Sequence, residues 1–318
     1  MKRSMCKIYT NLCRTFSLLI FIFFVTGLFS QSRQRYSKKE FLNNEFKSRF
    51  KDYKAVILVD INSRQILFEK NIHKELEIAS LTKMMSILLV VEEIKKGNLS
   101  LYDMLRTSTA ASKIGGSQIF LREYEEMSVE DLLKSVIIKS ANDATTVLAE
   151  RVGFCGKVPL FVNMMNSRAK QLNMKRTSFF FPHGLPPSRK NLSNSKEANT
   201  STCYDLVLLA EEMLKHRIIT KYSSTWLDYI RQNSKKFMLR NTSRLIKDYP
   251  YFDGLKTGYY RKAGFNIVAT AKKDDMRLVA VVLGSRSMRG RDEFINDLVN
   301  WGFSEIEDCR SPVVDIDK

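Results

Sequence analysis

The sequence predicts a mixed α/β (α+β) fold, in which N- and C-terminal segments share one antiparallel sheet flanked by helices and the middle of the chain forms an all-helical lobe. Two observations indicate this. Short apolar or alternating runs typical of strands lie at 55–70 and 252–284. Between them, about 100–235, apolar residues recur at helical spacing behind capping residues. A cleft between sheet and lobe is the expected site.

The N-terminal part of the domain is predicted to be a hairpin followed by a buried helix. Ala55–Asp60 and Gln65–Lys70 flank a turn at 61–64. From Ser80 to Lys96, apolar side chains occupy most sides of a helix that is expected to end at Gly97.

The central lobe is predicted from two capping patterns and a loop. Ser128 is followed three residues later by Asp131, and Thr202 likewise by Asp205, each before an apolar run. Residues 182–200 hold three prolines and a Ser/Asn cluster, which indicates a loop.

Strands return at the C-terminal end. Runs at 252–256, 264–270 and 276–284 are apolar, with a turn at 272–275 between the last two. A helix at about 291–301 follows, so both ends of the domain are expected to contribute to the same sheet.

Composition excludes several classes of protein. The chain has 318 residues, of which 44% are hydrophobic, with only 13 Gly and 6 Pro, so it is neither disordered nor fibrous. Three scattered histidines leave little room for a His-built metal centre or a Ser-His-Asp relay, and we predict no metal and no cofactor. The net charge of +18 favours proximity to anionic lipid or wall polymer over nucleic acid, because aromatic and basic residues are not interleaved.

The first 30 residues are predicted to be a signal peptide or an N-terminal anchor. Four basic residues and no acidic one precede the apolar run Phe16–Phe29. The cleavage motif is poor, because Leu28-Phe29-Ser30 offers one small residue, so an uncleaved segment would tether the protein to the membrane. A basic spacer at 31–52 follows. We therefore expect an exported protein, periplasmic or at the outer face of the cytoplasmic membrane.

The chemistry is predicted to begin at Ser80. Ser80-Leu-Thr-Lys83 places a hydroxyl and an amine on one helix face, where the amine can serve as base. The Ser-x-x-Lys pattern alone is weak, since four others occur, and Ser80 could equally be an ordinary helix N-cap. Only Ser80, however, opens a strongly apolar helix directly after a hairpin.

Two companion motifs strengthen this prediction. Ser140-Ala-Asn142 and Lys256-Thr-Gly258 each occur once and follow Ser80-x-x-Lys83 in the order found in penicillin-binding proteins and class A β-lactamases. With Gly116-Ser-Gln-Ile-Phe-Leu121, Pro182-His-Gly-Leu185 and Phe252-Asp-Gly-Leu-Lys-Thr-Gly-Tyr259, the chain resembles the low-molecular-mass penicillin-binding proteins that are D-alanyl-D-alanine carboxypeptidases. The resemblance covers nearly all of 53–303 and implies a β-lactamase/transpeptidase-like fold, with a serine DD-peptidase domain at 53–304 and a tail at 305–318.

The resemblance also implies catalytic roles. Ser80 would attack the peptide carbonyl, and Lys83 would take its proton once burial and the second cation Lys256 have lowered the lysine pKa. Ser140 would pass a proton to the departing amine. For Ser140 and Asn142 the alternative is a pair of helix N-caps.

The remaining site residues are expected to bind substrate. Asn142 would hold the peptide and polarise the surroundings of Lys83, and Lys256 with Thr257 would meet the terminal carboxylate. The backbone N–H groups of Ser80 and Tyr259 would stabilise the oxyanion. Gly258 would allow the substrate strand to approach closely.

The implied activity is removal of the terminal D-alanine from peptidoglycan stem peptides ending in D-Ala-D-Ala, with β-lactam antibiotics as covalent inhibitors. Alternatives are a β-lactamase, a non-catalytic wall-binding relative and a basic nucleic-acid module. Four positions depart from the usual family pattern: Tyr124, Phe181, Ser243 and Tyr260. The chain also stops soon after the predicted domain, without the small β-domain and amphipathic helix of many relatives, which leaves the N-terminal segment as the expected anchor.

Overall fold

The structure, a computed structural model, describes residues 52–153, 156–185, 198–231 and 235–310. The predicted leader, nearly all of the spacer and most of the 182–200 loop lie outside these residues. The strands are β1 (Ala55–Asp60), β2 (Gln65–Lys70), β3 (Leu76–Glu77), β4 (Met104–Arg106), β5 (Glu126–Ser128), β6 (Thr200–Ser201), β7 (Leu227–Ile230), β8 (Phe237–Arg240), β9 (Phe252–Tyr260), β10 (Gly264–Lys273) and β11 (Met276–Ser285).

The described helices are α1 (Lys83–Lys95), α2 (Thr109–Ser112), α3 (Val129–Lys134), α4 (Asn142–Val152), α5 (Val158–Gln171), α6 (Cys203–Leu214), α7 (Arg217–Ser223), α8 (Leu245–Asp248) and α9 (Met288–Arg310). A 3₁₀ turn at Ala79–Thr82 leads into α1, and a π-helical turn at Ser135–Lys139 precedes α4.

The principal sheet confirms the predicted fold class. Its five antiparallel strands have the order β2-β1-β11-β10-β9, so the N-terminal hairpin pairs with the C-terminal strands. Both faces of β1 are covered, because every residue of it is buried. Ile57 and Val59 join the core shared with the helical lobe, whereas Leu58 points towards Gly302 on α9. The alternation of a strand thus supplies two apolar layers.

The helical lobe is organised around α1, in which all but three residues are buried. It contacts α4, α5 and α6. The two predicted caps are confirmed: Ser128 Oγ accepts a hydrogen bond from Asp131 N at 3.1 Å, and Thr202 Oγ1 accepts one from Asp205 N at 3.0 Å.

Two elements are longer than the sequence predicts. Strand β9 continues to Tyr260, past the predicted end at residue 256. Helix α9 continues to Arg310, so the first residues of the tail predicted from 305 are helical. The helix extends past Gly302 because this glycine packs against the sheet, where a β-carbon would lie 2.7 Å from Leu58 Cδ2, and Phe303 and Ile306 beyond it are buried.

Among the helices of the described residues, none combines the length and apolar character needed to cross a membrane.

Candidate active site

Ser80 lies in the 3₁₀ turn rather than in α1 itself. Ala79 before it has φ +49°, which turns the chain sharply after β3. Ser80 does not cap a helix: the N-cap of α1 is Thr82, and its side chain makes no capping hydrogen bond. Instead, Ser80 Oγ accepts a hydrogen bond from Lys83 Nζ at 3.1 Å. The structure therefore favours the nucleophile interpretation of Ser80 over the N-cap alternative.

Lys83 is completely buried at the start of α1. Its amine also donates to the carbonyl oxygen of His183 at 2.5 Å. Burial lowers the pKa of Lys83 well below its usual value, the positive charge of Lys256 lowers it further, and the carboxylate of Asp143 opposes both. An amine that contacts a hydroxyl and has a lowered pKa is more readily neutral, and a neutral amine can act as a base.

The segment Pro182–Leu185 forms the wall behind this amine. Pro182 contributes a carbonyl that accepts from Ser86 Oγ at 2.7 Å. Gly184, at φ +75°, passes so close to the Ser80 turn that a β-carbon would lie 2.1 Å from Ala79 O. Burial, and secondarily Lys83, lowers the pKa of His183 to about 3, so its ring is neutral at pH 7. The sequence marked this segment only by family resemblance, and its carbonyl contact with Lys83 was not predicted.

Ser140 and Asn142 present two unpaired polar atoms. Ser140 is held in the left-handed conformation at φ 64° and ψ 33°, at the end of the π-helical turn. Ser140 Oγ and Asn142 Oδ1 are buried and have no hydrogen-bond partner within the described part of the chain. Neither side chain caps α4, whose N-cap is Ala141, so the structure does not support the N-cap alternative. Unpaired buried polar atoms of this kind are suited to bind a ligand.

The amide of Asn142 is oriented by the loop that faces it. Asn142 Nδ2 donates to Gly115 O at 2.8 Å, and its backbone N–H donates to Ser117 O at 2.7 Å. Gly116 must be small, because a β-carbon there would lie 2.7 Å from Asn142 Nδ2. These bonds leave Oδ1 as the free acceptor of the side chain. No hydrogen bond between Asn142 and Lys83 occurs among the described residues, and the charge that acts on Lys83 from this helix is that of Asp143.

Asp143 is a buried residue that the sequence analysis did not single out. Its carboxylate accepts hydrogen bonds from the backbone N–H groups of Ile119 and Leu121 at 3.1 to 3.3 Å. It therefore ties the loop that faces Asn142 to α4 while it also acts on the pKa of Lys83. The only indication of Asp143 in the sequence was the presence of an acidic residue directly after Asn142.

Strand β9 carries the third motif along the edge of the sheet. Lys256 is buried, and burial, followed by the charge of Arg291, lowers its pKa to about 7. Thr257 Oγ1 donates to Thr242 Oγ1 at 2.8 Å, and Thr242 N donates to Ile138 O in the π-helical turn, two residues before Ser140. The second and third motifs are thereby joined through Thr242, at a position that the sequence did not indicate.

Gly258 brings β9 against Ser80, the predicted nucleophile. A β-carbon at this position would lie 3.1 Å from Ser80 N and 2.7 Å from Ile78 O. The close packing of the Ser80 turn is therefore a structural reason for a glycine at this position, while the predicted approach of a substrate strand stays a prediction. Tyr259 follows with 55% of its surface exposed and stacks on Phe265 with ring centroids 4.1 Å apart.

Arg291 at the start of α9 is the largest fully buried side chain in the described residues. It pairs with Asp292 at 2.7 Å and donates to Asn266 O on β10, whose residue faces Gly258 in the register. Its charge reaches Lys256 from behind the sheet. A basic residue 35 positions after Lys256 carried no local signal.

The four residues that depart from the family pattern each make a contact within the described residues. Phe181 stacks on His183, and Tyr124 has φ 64° and lies under Arg106 at 4.5 Å. Tyr260 donates to Glu77 Oε2 at 3.0 Å, while the backbone of Ser243 bonds Asn241.

One possible metal cluster occurs in the part of the chain that the structure describes. Potential ligand atoms of Glu92, Glu212 and His216 lie within 4.8 Å of one another. Arg168 already donates to both carboxylates, at 2.7 and 2.9 Å, and Lys215 Nζ donates to Glu212 Oε2 at 2.6 Å, so two cations balance the two carboxylates. We assign no metal to this group.

Comparison with known proteins agrees with this geometry. The sequence profile of the D-alanyl-D-alanine carboxypeptidases, Peptidase S11, matches residues 47–287. The chain belongs to this family. D-alanyl-D-alanine carboxypeptidase DacF of Bacillus subtilis is 41% identical over 255 residues, which are 80% of this chain and 63% of that protein. The chain spans about 63% of the length of the curated relatives that it matches first.

Solved structures show the same fold. Penicillin-binding protein 5 of Haemophilus influenzae is 32% identical, with a TM-score of 0.71 over 80% of this chain and 71% of that one. Penicillin-binding protein D2 of Listeria monocytogenes, solved with ampicillin bound, is 27% identical. Its TM-score is 0.70, over 79% of this chain and 97% of the Listeria chain.

Proposed function

We propose that this member of the D-alanyl-D-alanine carboxypeptidase family is a serine-type hydrolase that removes the terminal D-alanine from peptidoglycan stem peptides. The observation that carries the proposal is the contact between Lys83 Nζ and Ser80 Oγ at 3.1 Å, made by a buried amine with a lowered pKa. A hydroxyl needs such a base to become a nucleophile.

Acylation follows from these positions. Neutral Lys83 takes the proton of Ser80 as Oγ bonds to the carbonyl carbon of the penultimate D-alanine. The amine of the terminal D-alanine leaves with a proton delivered through Ser140, whose hydroxyl is buried and unpaired. Water then hydrolyses the ester and regenerates Ser80.

Substrate orientation relies on the two other motifs. The terminal carboxylate meets Lys256 and Thr257, and a peptide N–H donates to the free Oδ1 of Asn142. The oxyanion accepts hydrogen bonds from the backbone N–H groups of Ser80 and Tyr259. The close packing of Gly258 on the Ser80 turn keeps these two N–H groups near each other.

Two alternatives are less well supported. A class A β-lactamase uses a Glu followed four residues later by Asn, and no such pair occurs between Ser140 and Lys256. A non-catalytic wall-binding relative would have no need for a buried, deprotonatable lysine at the hydroxyl, because burying an amine costs stability.

The partners follow from the reaction. We infer that β-lactams acylate Ser80, as mimics of D-Ala-D-Ala. The basic head and apolar run of residues 1–30 support export to the outer face of the cytoplasmic membrane, with membrane attachment if the segment is retained. A fusion of residues 1–54 to a reporter that is active only outside the cytoplasm tests this, and a silent, well-expressed fusion would contradict it.

The proposed activity is tested by labelling with a fluorescent penicillin. We expect a labelled band from the wild-type protein and none from Ser80→Ala. Wild-type protein that is folded and remains unlabelled would contradict the proposal.

A further inference from the structure

The turn that carries Ser80 is joined to strand β9 by a hydrogen bond as well as by packing at Gly258. Glu77 is the last residue of β3 and lies three positions before Ser80. Tyr260 is the last residue of β9 and directly follows Tyr259. The Tyr260 hydroxyl donates to Glu77 Oε2 at 3.0 Å, between residues 183 positions apart in the sequence. We call this hydrogen bond the β3–β9 tie.

The backbone beside the tie bonds to the same pair of strands. Asn266 on β10 donates from Nδ2 to Glu77 O at 3.2 Å, and its Oδ1 accepts from Gly284 N at 2.7 Å. Asn266 is completely buried and faces Gly258 in the register of β9 and β10. Both the carbonyl and the carboxylate of Glu77 therefore bond to the β9–β10 hairpin, which holds β3 against it at two points.

The hydroxyl of Tyr260 is a constant donor. Tyr260 is half-buried, and burial, followed by the charge of Glu77, raises the pKa of its hydroxyl. The hydroxyl therefore stays protonated at neutral pH, and its hydrogen bond to a charged acceptor is stronger than one between neutral groups. Lys262 also pairs with Glu77 Oε1, but 82% of its side chain is exposed, so this ion pair contributes little.

The tie lies next to the two N–H groups of the proposed oxyanion hole. Ser80 N and Tyr259 N belong to different elements, so their separation depends on how the Ser80 turn lies against β9. Packing at Gly258 limits how closely the two elements approach. Packing does not stop them from moving apart, whereas the β3–β9 tie opposes this movement.

We propose that Tyr260 is a positioning residue for acyl transfer, whose hydrogen bond to Glu77 holds the two N–H groups of the oxyanion hole at the separation that binds the oxyanion. This inference rests on the proposed function. Negative charge develops on the carbonyl oxygen only as Ser80 Oγ bonds to the carbonyl carbon, so these N–H groups stabilise the transition state more than the bound substrate.

Loss of the tie should therefore lower kcat rather than raise KM. Acylation of Ser80 and hydrolysis of the ester both pass through such an oxyanion, so both steps slow together and KM stays nearly constant. Removal of a whole oxyanion donor costs about 10²- to 10³-fold in kcat, and a displaced donor costs less.

The test removes the hydroxyl alone. For Tyr260→Phe we expect kcat for D-alanine release from a diacyl-D-Ala-D-Ala peptide to fall about tenfold, with KM changed less than twofold. Tyr222→Phe is the matched control, because Tyr222 OH donates to Glu130 Oε1 at 2.7 Å within the helical lobe. It should keep the wild-type kcat. Lys262→Gln removes the exposed partner of Glu77 and leaves the tie, so it should keep kcat as well.

A second arm changes the acceptor. Glu77→Ala should lower kcat as much as Tyr260→Phe, and the double variant should be no slower than either single variant, because all three lack the same hydrogen bond. Glu77→Gln keeps an acceptor oxygen for the hydroxyl, so its kcat should stay within about threefold of the wild-type value.

The outcomes separate this inference from the proposed function. An unchanged kcat for Tyr260→Phe would overturn the inference alone, as would a loss that appears in KM instead of kcat. Losses at Glu77 and Tyr260 that add in full in the double variant would also overturn it. Wild-type protein that neither releases D-alanine nor is labelled by penicillin would overturn the proposed function, and the inference with it.

Discussion

Gly258 and Ser80 are packed so closely that a β-carbon on Gly258 would lie 3.1 Å from the backbone nitrogen of Ser80. The strand that carries Lys256 and Thr257 therefore packs directly against the turn that carries Ser80, the proposed nucleophile. Distances between two catalytic motifs are set by this contact, since interiors are packed too densely to absorb an added methyl group without movement.

Substitution Gly258→Ala should separate β9 from the Ser80 turn. We expect acylation by penicillin to slow about 100-fold, because misplacement by about 1 Å has costs of this size. Stopped-flow acylation measures it. The control is Gly97→Ala, which has open space around it but a φ of +78°. It should lower stability by about 1 kcal/mol and leave the acylation rate unchanged. Equal acylation rates for both variants would contradict the packing argument.

Replacing Lys83 by Arg should remove the base while keeping the charge. A guanidinium does not give up its proton in proteins, so we expect the acylation rate to fall about 10³-fold. The same replacement at the exposed Lys95, on the same helix, serves as control. Near wild-type acylation by a folded Lys83→Arg protein would show that another group is the base.

The pH dependence of kcat/KM for D-alanine release should be bell-shaped. Lys83 works as a base only when neutral, so activity rises as pH increases through its lowered pKa. Lys256 binds the carboxylate only when protonated, and its pKa is about 7, so activity falls as pH increases above this value. The alkaline fall should be due to KM. A profile that keeps rising to pH 9 would contradict the role of Lys256.

Asp143→Asn should move the acid limb of this profile. The carboxylate raises the pKa of Lys83, so its neutralisation lets that pKa fall and the limb shifts to lower pH. Since Asn keeps an oxygen acceptor for the N–H groups of Ile119 and Leu121, the loop is largely retained. A limb that does not move, or moves to higher pH, would show that Asp143 acts through position alone.

The sequence predicted the sheet and the first helices well because their signals are local. The apolar runs of β1 and β11 are long, and the caps at Ser128 and Thr202 use hydrogen bonds within three residues. The helix predicted at about 291–301 ends too early, because Gly302 disfavours a helix locally but packs against Leu58 on a distant strand, and α9 continues past it.

The motifs of the candidate site could be predicted from the sequence, but the contacts that position their side chains could not. The Ser-x-x-Lys, Ser-x-Asn and Lys-Thr-Gly motifs predict which residues carry out the proposed chemistry, and the order of the three motifs is a strong signal. The groups that position them come from far along the chain: the carbonyl of His183 is 100 residues from Lys83, and Arg291 acts on Lys256 through the sheet. Such contacts carry no pattern in a single sequence because only the tertiary fold brings them together.

The central claim is that Ser80 forms an acyl-enzyme whose fate depends on what has left the site. Mass spectrometry of the intact protein after addition of penicillin, with peptide mapping and a parallel assay of D-alanine release, tests it most directly. We predict one penicilloyl adduct on Ser80 that persists for minutes or longer, turnover of a diacyl-D-Ala-D-Ala peptide, and neither in Ser80→Ala. Rapid loss of the adduct, or an adduct that survives in Ser80→Ala, would contradict the account.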